Sequence, residues 1–325
     1  MNNATAHSRG AARSGSIAAA AVGALGASAL FNRWSTRRAE RDHPPIGRFV
    51  EVEGARVHYL ERGSGSPIVL IHGTGTLLQD PLVSGLFDLL AQQHRVIAFD
   101  RPGYGYSARP RGTEWTPERQ AKQLVDACAS IGVDRPVVVG HSWGTLVATA
   151  WALDQGDRLS GLVLMSGYYY RTRRPDSMMA AVGASPVVGD LMAQTIAPLE
   201  ARATAPLANR TLFSPNAPTD AYRREMPFAL MFRPGQLLAS ADDSAQMPGA
   251  AERLSARYAS LRLPMTILWG DGDKLVKQGQ QSARLADELP HATAVELAGK
   301  GHMIHHVEPG RVAGAIKGLA ASIGK

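Results

Sequence analysis

The chain has 325 residues, 45% of them hydrophobic and 19% charged, with a formal net charge of +7 and a single cysteine, Cys128. That composition is globular and long enough for one large domain or two small ones; it excludes an intrachain disulfide and any metal site built on several thiolates. Six arginines against Glu40 and Asp42 place +4 of the excess in residues 1–42, and no Lys/Arg stripe interleaved with aromatics follows, so nucleic acid is not an expected partner.

The first element is the uncharged run IAAAAVGALGASALF at 17–31, with arginines on both sides. It is somewhat short of the roughly 20 apolar residues that cross a bilayer, but it predicts membrane association through this segment. The alternatives are a secretory signal with Ala27-Ser28-Ala29 as its cleavage site, hence export, and an Ala-rich tail on a cytoplasmic protein. RDHPPIG at 41–47 reads as a linker, because its two prolines block a helix.

From Phe49 the pattern changes. RFVEVEGARVHYLERG alternates apolar and polar residues around Glu53-Gly54, which predicts a hairpin. Short continuous apolar runs at 66–73, 94–100, 136–140, 159–167, 264–270 and 292–299 read as buried strands. Helical spacing at 116–131 places Cys128 in a core, and further helices are expected at 144–155 and at the C-terminus. Strands alternating with helices predict an α/β fold with a mostly parallel sheet. Residues 171–260 break the alternation and read as several short helices, a cap over the strand ends. The expected organisation is thus an arm at 1–42, a core at 43–170 plus 261–325, and a cap at 171–260. Nothing in the pattern fixes an oligomeric state.

Chemistry concentrates at strand ends. Gly140-His141-Ser142-Trp143-Gly144 is a G-x-S-x-G sequence between a buried strand and a helix, the setting of a nucleophile elbow. A serine needs a base to take its proton. His302, in the Gly-flanked turn after the last strand, is the choice, with His305 and His306 as rivals. The base needs a carboxylate to fix its tautomer; Asp273 is chosen and Asp271 is the alternative, both following the strand at 264–270. Two backbone N–H groups should face the developing oxyanion: those of Trp143 and of Thr74 in His72-Gly73-Thr74-Gly75, with Gly73 a lesser choice for the second. His72, His94 and His141 are expected to pack or to orient backbone.

HGTG at 72–75, FDRPGYGYS at 99–107, GHSWG at 140–144, WGDGD at 269–273 and GKGHM at 299–303 together resemble α/β-hydrolase-fold enzymes of the type with a helical cap, over about residues 48–322. The resemblance implies Ser142 as nucleophile, Asp273 as acid, His302 as base, and Thr74 and Trp143 as oxyanion donors. Haloalkane dehalogenases and epoxide hydrolases of this fold carry an aspartate where this chain has Ser142, and a proline where it has Gly75, so those activities are disfavoured. The expected activity is hydrolysis of a small to medium, largely apolar ester or related acyl compound through an acyl-enzyme. Alternatives are a carbon–carbon hydrolase or lyase using the same triad, and a non-catalytic ligand-binding protein. The methionine-rich cap, containing Met178, Met179, Met192, Met226, Met231 and Met247, suggests either an apolar pocket, for which Tyr168, Met231 and Met303 are the candidate substrate contacts, or simply the cap's own core. No cofactor is expected, and no metal: there is no H-E-x-x-H, and the adjacent His305 and His306 are not expected to face the same way on a helix.

Overall fold

Eight strands form one sheet in the order β1-β2-β4-β3-β5-β6-β7-β8. The computed structural model describes residues 4–323, with side chains from Ala19 onward apart from those of residues 175 and 176. The strands are β1 (Arg48–Val52), β2 (Ala55–Arg62), β3 (Pro67–Ile71), β4 (Arg95–Phe99), β5 (Val137–His141), β6 (Gly161–Met165), β7 (Met265–Gly270) and β8 (Thr293–Leu297). β1 and β2 form the expected hairpin, pairing Val52 with Ala55. Its two turn residues, Glu53 and Gly54, both have positive φ (50° and 74°), the turn whose twist matches its strands. β2 runs antiparallel to β4, and every pairing from β4 to β8 is parallel.

The central strands are apolar throughout because both faces are covered. Successive residues serve opposite cores. Val69, Ile71, Val138 and Leu164 face one cluster with Leu124, Leu146 and Leu285, whereas Ile68, Leu70, Val139 and Val163 face another with Phe87, Leu90 and Ile316. Cys128 is buried in the first cluster.

The helices are α1 (Ala4–Asp42), α2 (Gln79–Val83), α3 (Leu86–Ala91), α4 (Pro117–Ser130), α5 (Gly144–Asp154), α6 (Pro175–Ala184), α7 (Val188–Gln194), α8 (Ala197–Phe213), α9 (Asp220–Glu225), α10 (Phe228–Met231), α11 (Pro234–Ser255), α12 (Ser282–Glu288), α13 (Ile304–Val307) and α14 (Pro309–Ile323). α4 starts where the sequence signals it: Thr116 Oγ1 accepts from Arg119 N at 3.2 Å and Pro117 occupies the first turn. Six helices, α6 to α11, separate β6 from β7. They are not all short, since α8 has 17 residues and α11 has 22.

The N-terminal arm departs from expectation. Among the described residues no helix is long and apolar enough to cross a membrane, so the anchor expected at 17–31 is not supported. That run lies inside α1, a helix its alanines favour. The polar residues at its end bind the helical insertion instead. Ser28 Oγ donates to Thr195 O at 2.6 Å, and Asn32 Nδ2 donates to Thr195 O at 2.7 Å. Arg233 Nη1 reaches Glu40 at 3.0 Å. Ala29, in the segment considered as a cleavage site, is likewise inside the helix.

Candidate active site

Between β5 and α5 the chain reverses within three residues, and the geometry there demands glycine on both sides. A Cβ on Gly140 would lie 2.6 Å from Gly144 O, and one on Gly144 would lie 2.4 Å from Ile71 O. Both obstacles are backbone. Ser142 sits at the apex with φ of 51°, a left-handed conformation that is uncommon for a residue with a Cβ. Its N–H continues the ladder to Met165 O at 2.9 Å, and its carbonyl accepts from Thr145 N and Thr145 Oγ1 at 3.0 and 2.6 Å. The backbone is therefore pinned while the hydroxyl side faces a cavity of about 220 Å³.

That cavity is lined by Ser142 and His302, by Thr74 and Trp143, and by Tyr168, Met231 and Met303. Of the site residues expected from the sequence, only Asp273 lies behind the wall, where it meets His302: Nδ1 and Oδ2 are 2.7 Å apart and both side chains are buried. Because a carboxylate only accepts, His302 carries its proton on Nδ1 and leaves Nε2 as an acceptor. Asp273 is held by Leu275 N and Val276 N on Oδ1 (2.8 and 3.0 Å) and by Gln278 Nε2 on Oδ2 (2.7 Å). Burial alone would raise its pKa; His302 and these donors outweigh it and hold the carboxyl below its ordinary value. Asp271, the alternative, is exposed and accepts from Gly299 N at 2.6 Å, bracing the turn before His302.

Met231 and Met247 reach the cavity. Met178 and Met179 do not: they are 76% and 73% exposed on α6. The methionine content of the insertion therefore overstates its contribution to the pocket.

Beside the elbow, Gly73 passes so close to Ser142 that a Cβ would approach the serine Cβ to 3.1 Å. His72 braces this loop. Its Nε2 accepts from Arg101 N at 3.0 Å, so Nδ1 bears the proton and donates to Gly73 O at 2.7 Å. Burial, reinforced by Arg101, pushes the His72 pKa down to about 3. His141 donates through Nε2 to His302 O at 3.2 Å, and its pKa too is lowered, first by burial and then by His305 and His302.

These neutral histidines set a pH dependence. Unfolded, each takes a proton near its ordinary value of about 6.5, whereas folded His72 stays neutral down to about 3. Below about 6.5 the unfolded state thus binds more protons, and stability falls as pH falls. His72 alone should remove about 2 kcal/mol by about pH 5; His141 and His306, whose pKa values are also depressed, act in the same direction. Urea midpoints measured from about pH 7.5 to about pH 5 should decline; a flat profile would contradict this assignment.

His305 and His306, the rivals of His302, are engaged elsewhere. They donate through Nε2 to the two oxygens of buried Asp80, at 2.8 and 2.9 Å. The expectation that adjacent histidines diverge is thereby corrected. α13 is only four residues long, and the side chains of its two middle residues converge on one carboxylate. Burial raises the Asp80 pKa, but the two imidazoles more than offset this and hold it well below the ordinary value. The three residues place ligand-type atoms within 4.8 Å of one another, but both Nε2 atoms already bond Asp80, and His305 Nδ1 and His306 Nδ1 have no partner to steady them as metal-bound imidazoles are steadied.

Two buried residues were not anticipated from the sequence. Arg101 lies in the FDRPGYGYS motif and Asp243 in α11, and they pair at 2.6 Å with neither side chain exposed. The motif was legible, but the partner 142 residues away carries no local signal.

The comparisons with known proteins agree with this architecture. Residues 66–309 match the family model described as alpha/beta hydrolase fold, and the chain belongs to that family. Haloalkane dehalogenase 2 of Mycobacterium tuberculosis is 27% identical over 287 residues, 84% of this chain and 94% of that protein. Among solved structures, a thermophilic esterase from Thermogutta terrifontis superposes with a TM-score of 0.69 at 21% identity, covering 85% of this chain and 99% of its own. A bacterial membrane phospholipase A superposes at 0.63 and 22% identity, covering 97% of this chain and 99% of its own.

Proposed function

We propose that this hydrolase cleaves carboxylic esters with a small to medium apolar acyl group, using Ser142 as nucleophile, His302 as general base and acid, and Asp273 as its orienting carboxylate. The observation that carries the reading is the arrangement of Ser142 at a strained strand–helix apex, in the same cavity as a histidine whose Nδ1 is fixed on a buried carboxylate. His302 Nε2 takes the Ser142 proton as Oγ attacks the ester carbonyl. The carbonyl oxygen becomes an alkoxide that accepts from the Thr74 and Trp143 N–H groups. Collapse expels the alcohol, protonated by His302, and leaves an acyl-serine. Water, deprotonated by His302, then attacks the acyl carbonyl, and Ser142 recovers its proton as the acid leaves.

The relative with an alkyl-halide name does not carry over, because the elbow presents a serine hydroxyl, which needs the base, and an acyl-serine is what such a site forms. The esterase named among the fold neighbours is consistent with ester chemistry in this scaffold. Substrate size follows from the cavity. At about 220 Å³, with Leu212, Tyr222, Met231, Met247 and Met303 in its wall, it is small and mostly apolar, and methionines adapt to irregular chains.

The test uses the full chain with p-nitrophenyl esters of increasing acyl length, beside a fluorophosphonate probe. Turnover is expected to rise beyond acetate, peak at medium length and fall for long chains, with the probe attached to Ser142. A steady fall from acetate onward would refute the apolar acyl pocket, and failure of the probe to label Ser142 in folded protein would refute the nucleophile.

A further inference from the structure

The helix α11 of the insertion is wired to the loop of Gly73 and Thr74 that lines the cavity beside Ser142. Arg101 is the junction, and its guanidinium makes four hydrogen bonds. Nε donates to His72 O at 2.9 Å and Nη2 to Gly73 O at 2.9 Å, while Nη1 donates to Asp243 Oδ2 at 2.6 Å and to Gln120 Oε1 at 3.0 Å. The guanidinium also lies 4.6 Å from the Trp143 ring and 4.3 Å from that of Tyr104. Asp243 fixes it in turn: Oδ2 accepts from Tyr104 OH at 2.8 Å and Oδ1 from Gln120 Nε2 at 3.2 Å. The backbone carbonyl of Asp243 accepts from Trp143 Nε1 at 2.9 Å.

The geometry of a trans peptide gives this wiring a consequence. The C=O of Gly73 and the N–H of Thr74 belong to one planar unit and point in opposite directions. Arg101 Nη2 and His72 Nδ1 both hold the Gly73 oxygen on the buried side, so the Thr74 N–H is turned away from them, toward the cavity that Thr74 lines. The same Asp243 steadies the indole of Trp143, whose backbone N–H is the second donor. One residue of the insertion therefore reaches both donors, one through Arg101 and one through the indole.

We propose that Arg101 and Asp243 are positioning residues that make the oxyanion hole depend on α11, so that the insertion contributes to turnover and not only to substrate binding. A desolvated guanidinium held on four oxygens is well suited to this, because its planar fork fixes direction as well as charge. The proposal rests on the ester-hydrolase reading above.

The test is Arg101→Lys and, as a near-isosteric alternative that keeps the arginine, Asp243→Asn. Each is titrated to completion with a fluorophosphonate, so that rates are expressed per competent Ser142. The wild-type chain must first be titrated at Ser142 and turn over its ester; failure there would refute the hydrolase reading, whereas the outcomes below bear on the strut. Removing one oxyanion donor costs about 10²–10³ in kcat, and a donor merely misaimed should cost about 10–100-fold. The expected result is a fall of that size in kcat per titrated site, little change in KM, and an equal loss of affinity for an alkylboronic acid, which becomes a tetrahedral anion on the serine. An arginine that only stabilised the fold would lower the fraction of titratable sites and leave kcat per site and boronate affinity unchanged. That result in either variant would overturn the proposal.

Discussion

Ser142→Ala is expected to lower kcat for p-nitrophenyl esters by about a million-fold while the chain stays folded. The hydroxyl is the only group removed. The φ of 51° is borne by alanine as by serine, and the backbone bonds of residue 142 to Met165 and Thr145 remain. Asp273→Asn is the more discriminating partner. Asparagine retains an oxygen for the Leu275 and Val276 N–H groups, so the loop should hold. Its amide nitrogen would then face His302 Nδ1. Being a donor, it favours the imidazole tautomer with the proton on Nε2, which cannot accept the serine proton. Losses of about ten-thousand-fold follow from such a tautomer change in a triad. Activity within tenfold of the parent in either variant, with unchanged thermal midpoint, would remove Ser142 or Asp273 from the mechanism.

Ser142 stands where the sequence is most legible, and the reason is local sterics. Gly140 and Gly144 are required by backbone atoms within a few ångströms, so the elbow is written in five consecutive residues. The Glu53-Gly54 turn and the Thr116-Pro117 start of α4 are equally short-range. The choice between Asp273 and Asp271 was not local. Both follow β7 in a turn-forming sequence, and only the folded position of His302, 29 residues on, separates them. The N-terminal run misled because charge-free alanine-rich sequence suits a bilayer weakly and a helix well. Ser28 in the run and Asn32 just after it, which dock α1 through contacts more than 160 residues away, carry no local signature of that docking. Arg101 and Asp243 illustrate the same limit: each reads as an ordinary charged residue until its partner is in place.

Asp80→Ala is expected to cost about 2–6 kcal/mol of unfolding free energy, because two buried imidazole donors lose their acceptor at once. The carboxylate is 1% exposed and satisfies two imidazole donors at once. Without it, His305 and His306 remain buried with N–H groups that water cannot reach, each costing about 1–3 kcal/mol. Asp80→Asn should cost less, because one amide oxygen can still accept from one imidazole. The effect should also depend on pH. Since the folded pKa of Asp80 lies below its unfolded value, its stabilisation is present above about pH 4 and is lost as pH falls through the folded pKa. Above that range the gap between parent and Asp80→Ala should persist, and in acid it should close. Urea titrations of the three proteins at neutral pH and in acid measure both features. The location makes the loss functional as well. Asp80 stands on α2, after the loop that carries Thr74, while His305 and His306 follow His302 within one turn. The pair of hydrogen bonds thus ties the segment bearing the base to the segment bearing the oxyanion donor, and turnover should fall along with stability in Asp80→Ala. A variant as stable as the parent at neutral pH would show that these three buried groups are not bonded as described.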